Sequence, residues 1–325
     1  MYPSYLNAYH NGSLQKITES AFAMLEACSL CPRKCGVDRL KGRTGYCKTG
    51  LLPQIYNFLA HHGEEPPLSG EHGSGTIFFS RCTMSCAYCQ NFEFSQEGKG
   101  KSFSYDELAQ IMLDLQDRGT HNINLVTPTH VLPQILKALL IAVPQGLKLP
   151  LVYNTSGYER PEIIKMLAGI VDIYLPDMRY AEAKNSKKYS NAPDYPKYNQ
   201  AAVKEMHDQT GTARFDEHGI IKHGLIIRHL VLPENISGTE KTMKFIAQEI
   251  SPDTYISLMS QYRPYYKAAA FKDISRRLTC EEYESAQKII QRHELENGWI
   301  QESFGLERFA GVNIKPAMKE GNPQI

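Results

Sequence analysis

Nothing in these 325 residues resembles a run of about 18 consecutive apolar side chains, so no membrane-spanning helix is expected. Charge of one sign is also missing. Thirty-six Lys and Arg stand against 35 Asp and Glu, a net charge of +1. That balance gives no broad pull toward nucleic acid or an anionic membrane. The first residues, Met1-Tyr2-Pro3-Ser4-Tyr5, lack the basic and apolar pattern of a signal peptide. Eight cysteines without that pattern argue for metal or redox chemistry rather than a disulfide framework, and for a reducing cytoplasm. No Ser-His-Asp arrangement or other obvious general base stands out either.

What is present is globular, 42% hydrophobic and 22% charged. Single-domain barrels commonly reach about 200–250 residues, so one barrel with appendages fits better than two equal domains. The expected division is 1–75 as an N-terminal helix and cysteine-rich extension, 76–275 as the barrel, and 276–325 as a C-terminal helix and tail.

The chain centres on Ser80–Asn91. Cys82, Cys86 and Cys89 sit at C-x3-C-x2-C spacing just after the apolar run 76–79, which reads as a strand. A short loop can wrap three thiolates around one face of a 4Fe–4S cluster, leaving one iron open for a small molecule. A structural metal knuckle, or three ordinary thiols, is the plainer alternative.

Before it, Ser13 is a candidate N-cap for a helix to about Ala27, with Leu14, Ile17, Ala21, Met24 and Leu25 on its apolar face. Cys28, Cys31, Cys35 and Cys47 follow. Four thiolates at such spacings close a zinc site or hold an auxiliary iron–sulfur cluster, and the spacing does not separate the two. Arg33, Lys34, Arg39, Lys41 and Arg43 make this segment basic, read as a solvated face or a docking surface. His61–Pro67 reads as a linker packing on the barrel mouth, with Glu64 or Glu65 able to face the substrate.

Downstream, apolar runs alternate with helical patterns. Strands are expected at 76–79, 122–126, 150–153, 171–175, 225–231 and 255–259. Helices are expected from a capping box at Ser104/Glu107 to Arg118, and at 131–143, 160–168 and 239–250. This alternation predicts an α/β fold, a partial (β/α)6 TIM-like barrel with an N-terminal cysteine-rich extension and a C-terminal helix. Active groups then gather at the C-terminal strand ends. Those ends carry Thr127 and Thr129, Asn154 and Ser156, Asp177 and Arg179, Arg228, and Gln261. The polar segment 180–223 reads as a rim insertion or a solvated helical excursion. Tyr262, Tyr265 and Tyr266 are candidates for the mouth, Cys280 is expected to be a buried thiol, and a helix from Glu281 to Asn297 is expected to stop at Gly298. Beyond Phe309 the pattern fades, and the tail is expected to be mobile.

Segments 31–39, 63–70, 75–82, 89–91, 227–233 and 259–264 carry a resemblance to the radical S-adenosylmethionine (SAM) superfamily, in its PflX-like branch related to the activating enzymes of glycyl radical enzymes such as pyruvate formate-lyase. The resemblance implies that Cys82, Cys86 and Cys89 bind a 4Fe–4S cluster whose open iron is chelated by SAM. It implies SAM contacts at Tyr88, Asn154, Ser156, Asp177, Arg179 and Gln261, with Arg228 pairing with the SAM carboxylate. Thr127-Pro128-Thr129 stands where the superfamily usually has Gly-Gly-Glu, so Thr127 and Thr129 inherit the amino-group role. The implied activity is reductive cleavage of SAM to a 5′-deoxyadenosyl radical for hydrogen abstraction, from a protein glycine in the activase-like version, or from a peptide or small metabolite. A non-enzymatic iron–sulfur electron carrier is the remaining alternative. The implied partners are an electron donor such as flavodoxin or ferredoxin and a protein or peptide substrate. Activases usually place extra clusters after the three-cysteine loop and an Asp where Asn154 stands, and this chain departs from both patterns.

Overall fold

A computed structural model describes residues 2–301 and 311–313. Helices α1 (Tyr5–His10) and α2 (Ser13–Ala23) come first. Leu14, Ala21 and Leu25 are fully buried, and Ile17 and Met24 half-buried, so the apolar stripe faces the core. Ser13 is the first helical residue rather than the cap. Gly12, at φ 77°, takes the cap position because the corner between α1 and α2 needs a left-handed residue. The helix ends at Ala23, short of Ala27.

Next come β1 (Gln54–His61), α3 (Pro66–Ser69), β2 (Ser74–Phe79), α4 (Phe92–Ser95) and β3 (Lys101–Ser102). β1 was not legible in the sequence. It pairs antiparallel with β2, and a register shift between Ile55 and Asn57 breaks the period-two pattern that marks a strand. His61 therefore ends a strand, and the linker begins after it. α5 (Tyr105–Asp117) follows with both halves of its capping box formed: the Ser104 hydroxyl accepts from Glu107 N, and Ser104 N donates to Glu107 Oε2.

The alternation then continues through β4 (Ile123–Val126), α6 (Leu132–Ala142), β5 (Leu151–Thr155), α7 (Pro161–Met166) and β6 (Ile173–Pro176). The segment after β6 holds α8 (Ala183–Ser190), α9 (Tyr195–Thr210) and β7 (Arg214–Phe215) before β8 (Ile221–Leu230). α10 (Thr239–Phe245), β9 (Tyr255–Met259), α11 (Cys280–Arg292), β10 (Gly298–Gln301) and β11 (Gly311–Asn313) complete the described residues.

The strands form one open, mostly parallel sheet in the order β11-β10-β9-β8-β6-β5-β4-β2-β1-β3. The run from β2 to β10 is parallel throughout, so β10 joins the six expected strands as a seventh. Its first residue, Gly298, does not stop a helix, since α11 has already ended at Arg292. At φ 117° a Cβ there would lie 2.0 Å from Ile256 O, so only glycine lets β10 approach β9 this closely. Cys280 opens α11 and is exposed, not buried, because it sits in the first turn beside the capping residue Thr279.

Apolar faces of α2, α5, α6, α7, α9, α10 and α11 cover the sheet and bury Ile77, Leu125, Tyr153, Ile227 and Leu258 among others. Among the described residues no helix is long and apolar enough to cross a membrane. The expected tail beyond Phe309 lies outside the described residues except for β11.

Candidate active site

β2 delivers the chain at Ser80 into the cysteine loop, and neighbouring segments pin that loop by its backbone. Ser80 O is held by the buried His130 ring at 2.8 Å. Arg81 N–H reaches Phe94 O at 2.9 Å. Thr83 O accepts from Arg33 Nε at 3.0 Å. Ser85 N–H and Ala87 N–H donate to Ser190 O and Tyr189 O at 3.2 and 2.7 Å, while Ala87 O accepts from Lys267 N. The 180–223 segment is thus a clamp on the loop through the C-terminal end of α8, a role its polar composition did not reveal.

The three sulfurs receive donors of their own. Met84 N–H points at Cys82 Sγ at 3.4 Å. Cys86 Sγ accepts from Arg179 Nη1 at 3.2 Å and from the Ser190 hydroxyl at 3.1 Å. Cys89 Sγ lies 3.1 Å from Ser95 Oγ. Burial, and then the neighbouring Cys86, push the Cys82 thiol up to about 12; the same two causes raise Cys89. Buried thiols that oppose one another's ionisation become thiolates when a cationic metal centre replaces their protons. Among the described residues no three His, Cys, Asp or Glu side chains close around a single-ion position. A cubane is bulkier than one ion, and three spaced thiols on one loop, supplied with donors to sulfur, fit its chemistry.

Beside the loop lies a cleft onto which Tyr88, Cys89, Asp177, Arg179, Arg228 and Gln261 all open. Its electrostatic centre is Asp177, at the end of β6. Burial pushes that carboxyl up, but Arg228 and Arg179 outweigh it and hold it below the ordinary range. Arg179 Nε donates to Asp177 Oδ2 at 2.9 Å, and Arg228 Nε to Oδ1 at 2.8 Å. Arg228 Nη2 donates to Asn154 Oδ1 at 2.7 Å, and Nη1 lies 3.6 Å from Glu64 Oε2. Every nitrogen of Arg228 therefore has a protein partner. Arg228 thereby ties β5, β6, β8 and the Glu64 segment together.

Thr129 is likewise engaged. Its hydroxyl donates to the fully buried Glu159, as does that of Thr155. Thr127 takes a left-handed turn at φ 61° and joins β5 through its N–H to Asn154 O. Ser156 Oγ and Tyr88 Oη are buried without hydrogen-bond partners. Gln261 N–H and Ser260 N–H both donate to the buried side-chain oxygen of Gln301, so β10 fixes the end of β9.

Several contributors escaped sequence reading. Glu159, two residues past Gly157, has a carboxyl pushed up to about 7 by burial, against the lowering effect of its two threonine donors. Glu65, which the sequence did single out together with Glu64, is also fully buried and rises to about 7 by burial, with Arg228 opposing and Glu64 adding to the rise; Glu64 is raised by burial as well. Arg263 opens onto the same cleft, and its guanidinium has no partner among the described residues. Its place directly after Gln261-Tyr262 was the one signal available for it.

The N-terminal cysteines sit against this loop. Tyr46 Oη is 2.7 Å from Ser85 Oγ and accepts from Asn191 Nδ2 at 3.0 Å. The Arg33 guanidinium lies 3.8 Å over the Tyr46 ring. Arg39, expected on a solvated basic face, is instead 1% exposed.

Residues 76–246 match the family model of the radical SAM superfamily, more than half of the chain. An uncharacterized protein of Methanocaldococcus jannaschii is 32% identical over 293 residues, covering 86% of this chain and 78% of the relative. The crystal structure of HydG, a maturase of FeFe hydrogenase, superposes with a TM-score of 0.44 at 11% identity, over 67% of this chain; the chain spans about half, 48%, of that structure. Membership implies a 4Fe–4S cluster and SAM as cofactors. The chain belongs to the radical SAM superfamily and is one of its enzymes.

Proposed function

We propose that the chain reductively cleaves SAM at a 4Fe–4S cluster held by Cys82, Cys86 and Cys89 and directs the resulting 5′-deoxyadenosyl radical at a carbon–hydrogen bond of a protein substrate. The carrying observation is the shared cleft. One wall holds Cys89 and Tyr88, and the other holds the Asp177–Arg179–Arg228 network at the strand ends. When bound, the cluster and SAM supply the one-electron chemistry. The protein's own residues bind, orient and exclude water. Arg179 joins the two walls, donating to Cys86 Sγ and to Asp177. Arg263 is the cation that the cleft offers to an incoming carboxylate, since Arg228 is occupied. Tyr88, Asn154, Ser156 and Gln261 frame the remaining SAM contacts in this reading, and Thr129 acts through Glu159.

A glycine of a partner enzyme is the activase-like target, and a peptide or small metabolite is the alternative substrate. A polypeptide is preferred in this reading, because the outer hollow lined by Lys188, Tyr189, Glu234, Lys241 and Asp273 lies on α8, the same helix that clamps the loop. Flavodoxin or ferredoxin is the electron donor in this reading, the setting is the cytoplasm, and the four N-terminal cysteines hold a second metal. Anaerobic reconstitution followed by SAM and dithionite tests the assignment: 5′-deoxyadenosine forms if it holds, and an inert cluster that ignores SAM would make the chain an electron carrier.

A further inference from the structure

We infer that Cys28, Cys31, Cys35 and Cys47 form an anionic metal–tetrathiolate centre for which Arg39 is the built-in counter-cation, and that this centre holds the active-site loop in place. The proposal deepens the second-metal reading above and does not depend on what happens at Cys82, Cys86 and Cys89.

The observation behind it is a charge without a partner. Arg39 is 1% exposed, and its side chain is a guanidinium cation. Its Nε and Nη2 donate to Gly50 O, Nη1 donates to His130 O at 3.0 Å, and Nη1 also points at Cys28 Sγ at 3.9 Å. Among the described residues no carboxylate is within ion-pair distance of it. Arginine is almost never buried this deeply without a counter-charge, because carbonyl dipoles recover only part of the lost hydration. Four neutral thiols leave that charge uncompensated. No three of these side chains close around a single-ion position, so the group the site takes is a cluster: four thiolates around an oxidised 4Fe–4S cluster carry a net charge of about −2 and supply it.

The backbone is already shaped for such a group. Cys28 N–H donates to Val37 O and Gly36 N–H to Cys28 O, folding the first three cysteines into one knuckle. Tyr46 N–H donates to Cys35 Sγ at 3.4 Å, bringing the Cys47 segment to the same side. Gly45 passes so close that a Cβ there would lie 2.8 Å from Cys35 Sγ. Transfer of a preformed cluster exchanges four thiol protons for four iron–sulfur bonds, with no change of oxidation state.

The coupling to the active site follows from sequence neighbours of these cysteines. Arg33, between Cys31 and Cys35, holds Thr83 O, and Tyr46, next to Cys47, meets Ser85. Both anchors fall between Cys82 and Cys86, inside the active-site loop.

The test removes the first centre and counts what is left. A Cys82→Ser/Cys86→Ser/Cys89→Ser variant, purified without oxygen from medium containing iron and zinc, is expected to keep about four iron and four sulfide per folded chain. One zinc without sulfide overturns the cluster assignment. Adding Arg39→Met is expected to weaken retention against a chelator by roughly 10- to 100-fold, and Arg39→Lys by less. A folded triple-cysteine variant with no metal overturns the proposal, as does retention unchanged by Arg39→Met. Should the triple variant not fold, the intact chain decides: iron and sulfide beyond one cluster support the second centre, and a single four-iron complement refutes it.

Discussion

Asp177 and Arg228 lie on neighbouring parallel strand ends, and the Arg228 Nε–H donates to Asp177 Oδ1 at 2.8 Å where the two residues form a bridge. Their side chains are 5% and 17% exposed, so this is a largely desolvated pair, and it shares Asp177 with Arg179. Removing one partner of such a pair strands the other charge. Asp177→Asn is expected to lower stability by about 3 kcal/mol, read from denaturant unfolding, and to weaken SAM binding in equilibrium dialysis. An unchanged unfolding midpoint would mean that solvent screens the pair.

Glu159 sets a pH dependence. Burial raises its folded pKa to about 7 from an ordinary value of 4.5. Between those values the folded chain keeps a proton that the unfolded chain has lost, so this residue's contribution to stability falls as pH rises from about 4.5 to 7. Glu159→Gln cannot titrate. Relative to the parent, the variant is expected to gain about 3 kcal/mol in stability between pH 4.5 and 8. The buried His130 and His229, pushed down to about 4 by burial, act in the opposite direction but are common to both proteins and cancel in the difference. Parallel stability–pH curves would refute the assignment.

Ser190 donates to Cys86 Sγ while sharing a hydrogen bond with Tyr180 Oη at 2.7 Å. Donors to cluster thiolates raise the reduction potential. Ser190→Ala is therefore expected to bind the same amount of iron but to titrate at a more negative midpoint, followed by electron paramagnetic resonance. An unmoved midpoint would show that the hydroxyl does not act on the cluster.

The strand–helix alternation was legible because each parallel strand is buried on both faces and reads as an apolar run, and because capping boxes such as Ser104/Glu107 mark helix starts locally. β1 was hidden by its register shift, and β10 by its glycine start and short length. At the site, cysteine spacing pointed to the loop, and residues at strand ends pointed to Asp177, Arg179 and Arg228. Their partners could not be read. Whether Arg228 is free or fully occupied depends on Asn154 and Glu64, which lie 74 residues away and on a separate segment. Arg39 shows the same limit: its position in a basic stretch suggested solvent, and only tertiary packing makes it a buried cation.

The most direct test of the account is to reconstitute the chain with iron and sulfide under anaerobic conditions, reduce it with dithionite, add SAM, and quantify 5′-deoxyadenosine and methionine. The account predicts equal amounts of the two products from the parent chain and neither product from Cys82→Ala, Cys86→Ala or Cys89→Ala. Intact SAM over a fully reduced cluster, or product formation that survives loss of those cysteines, would contradict it.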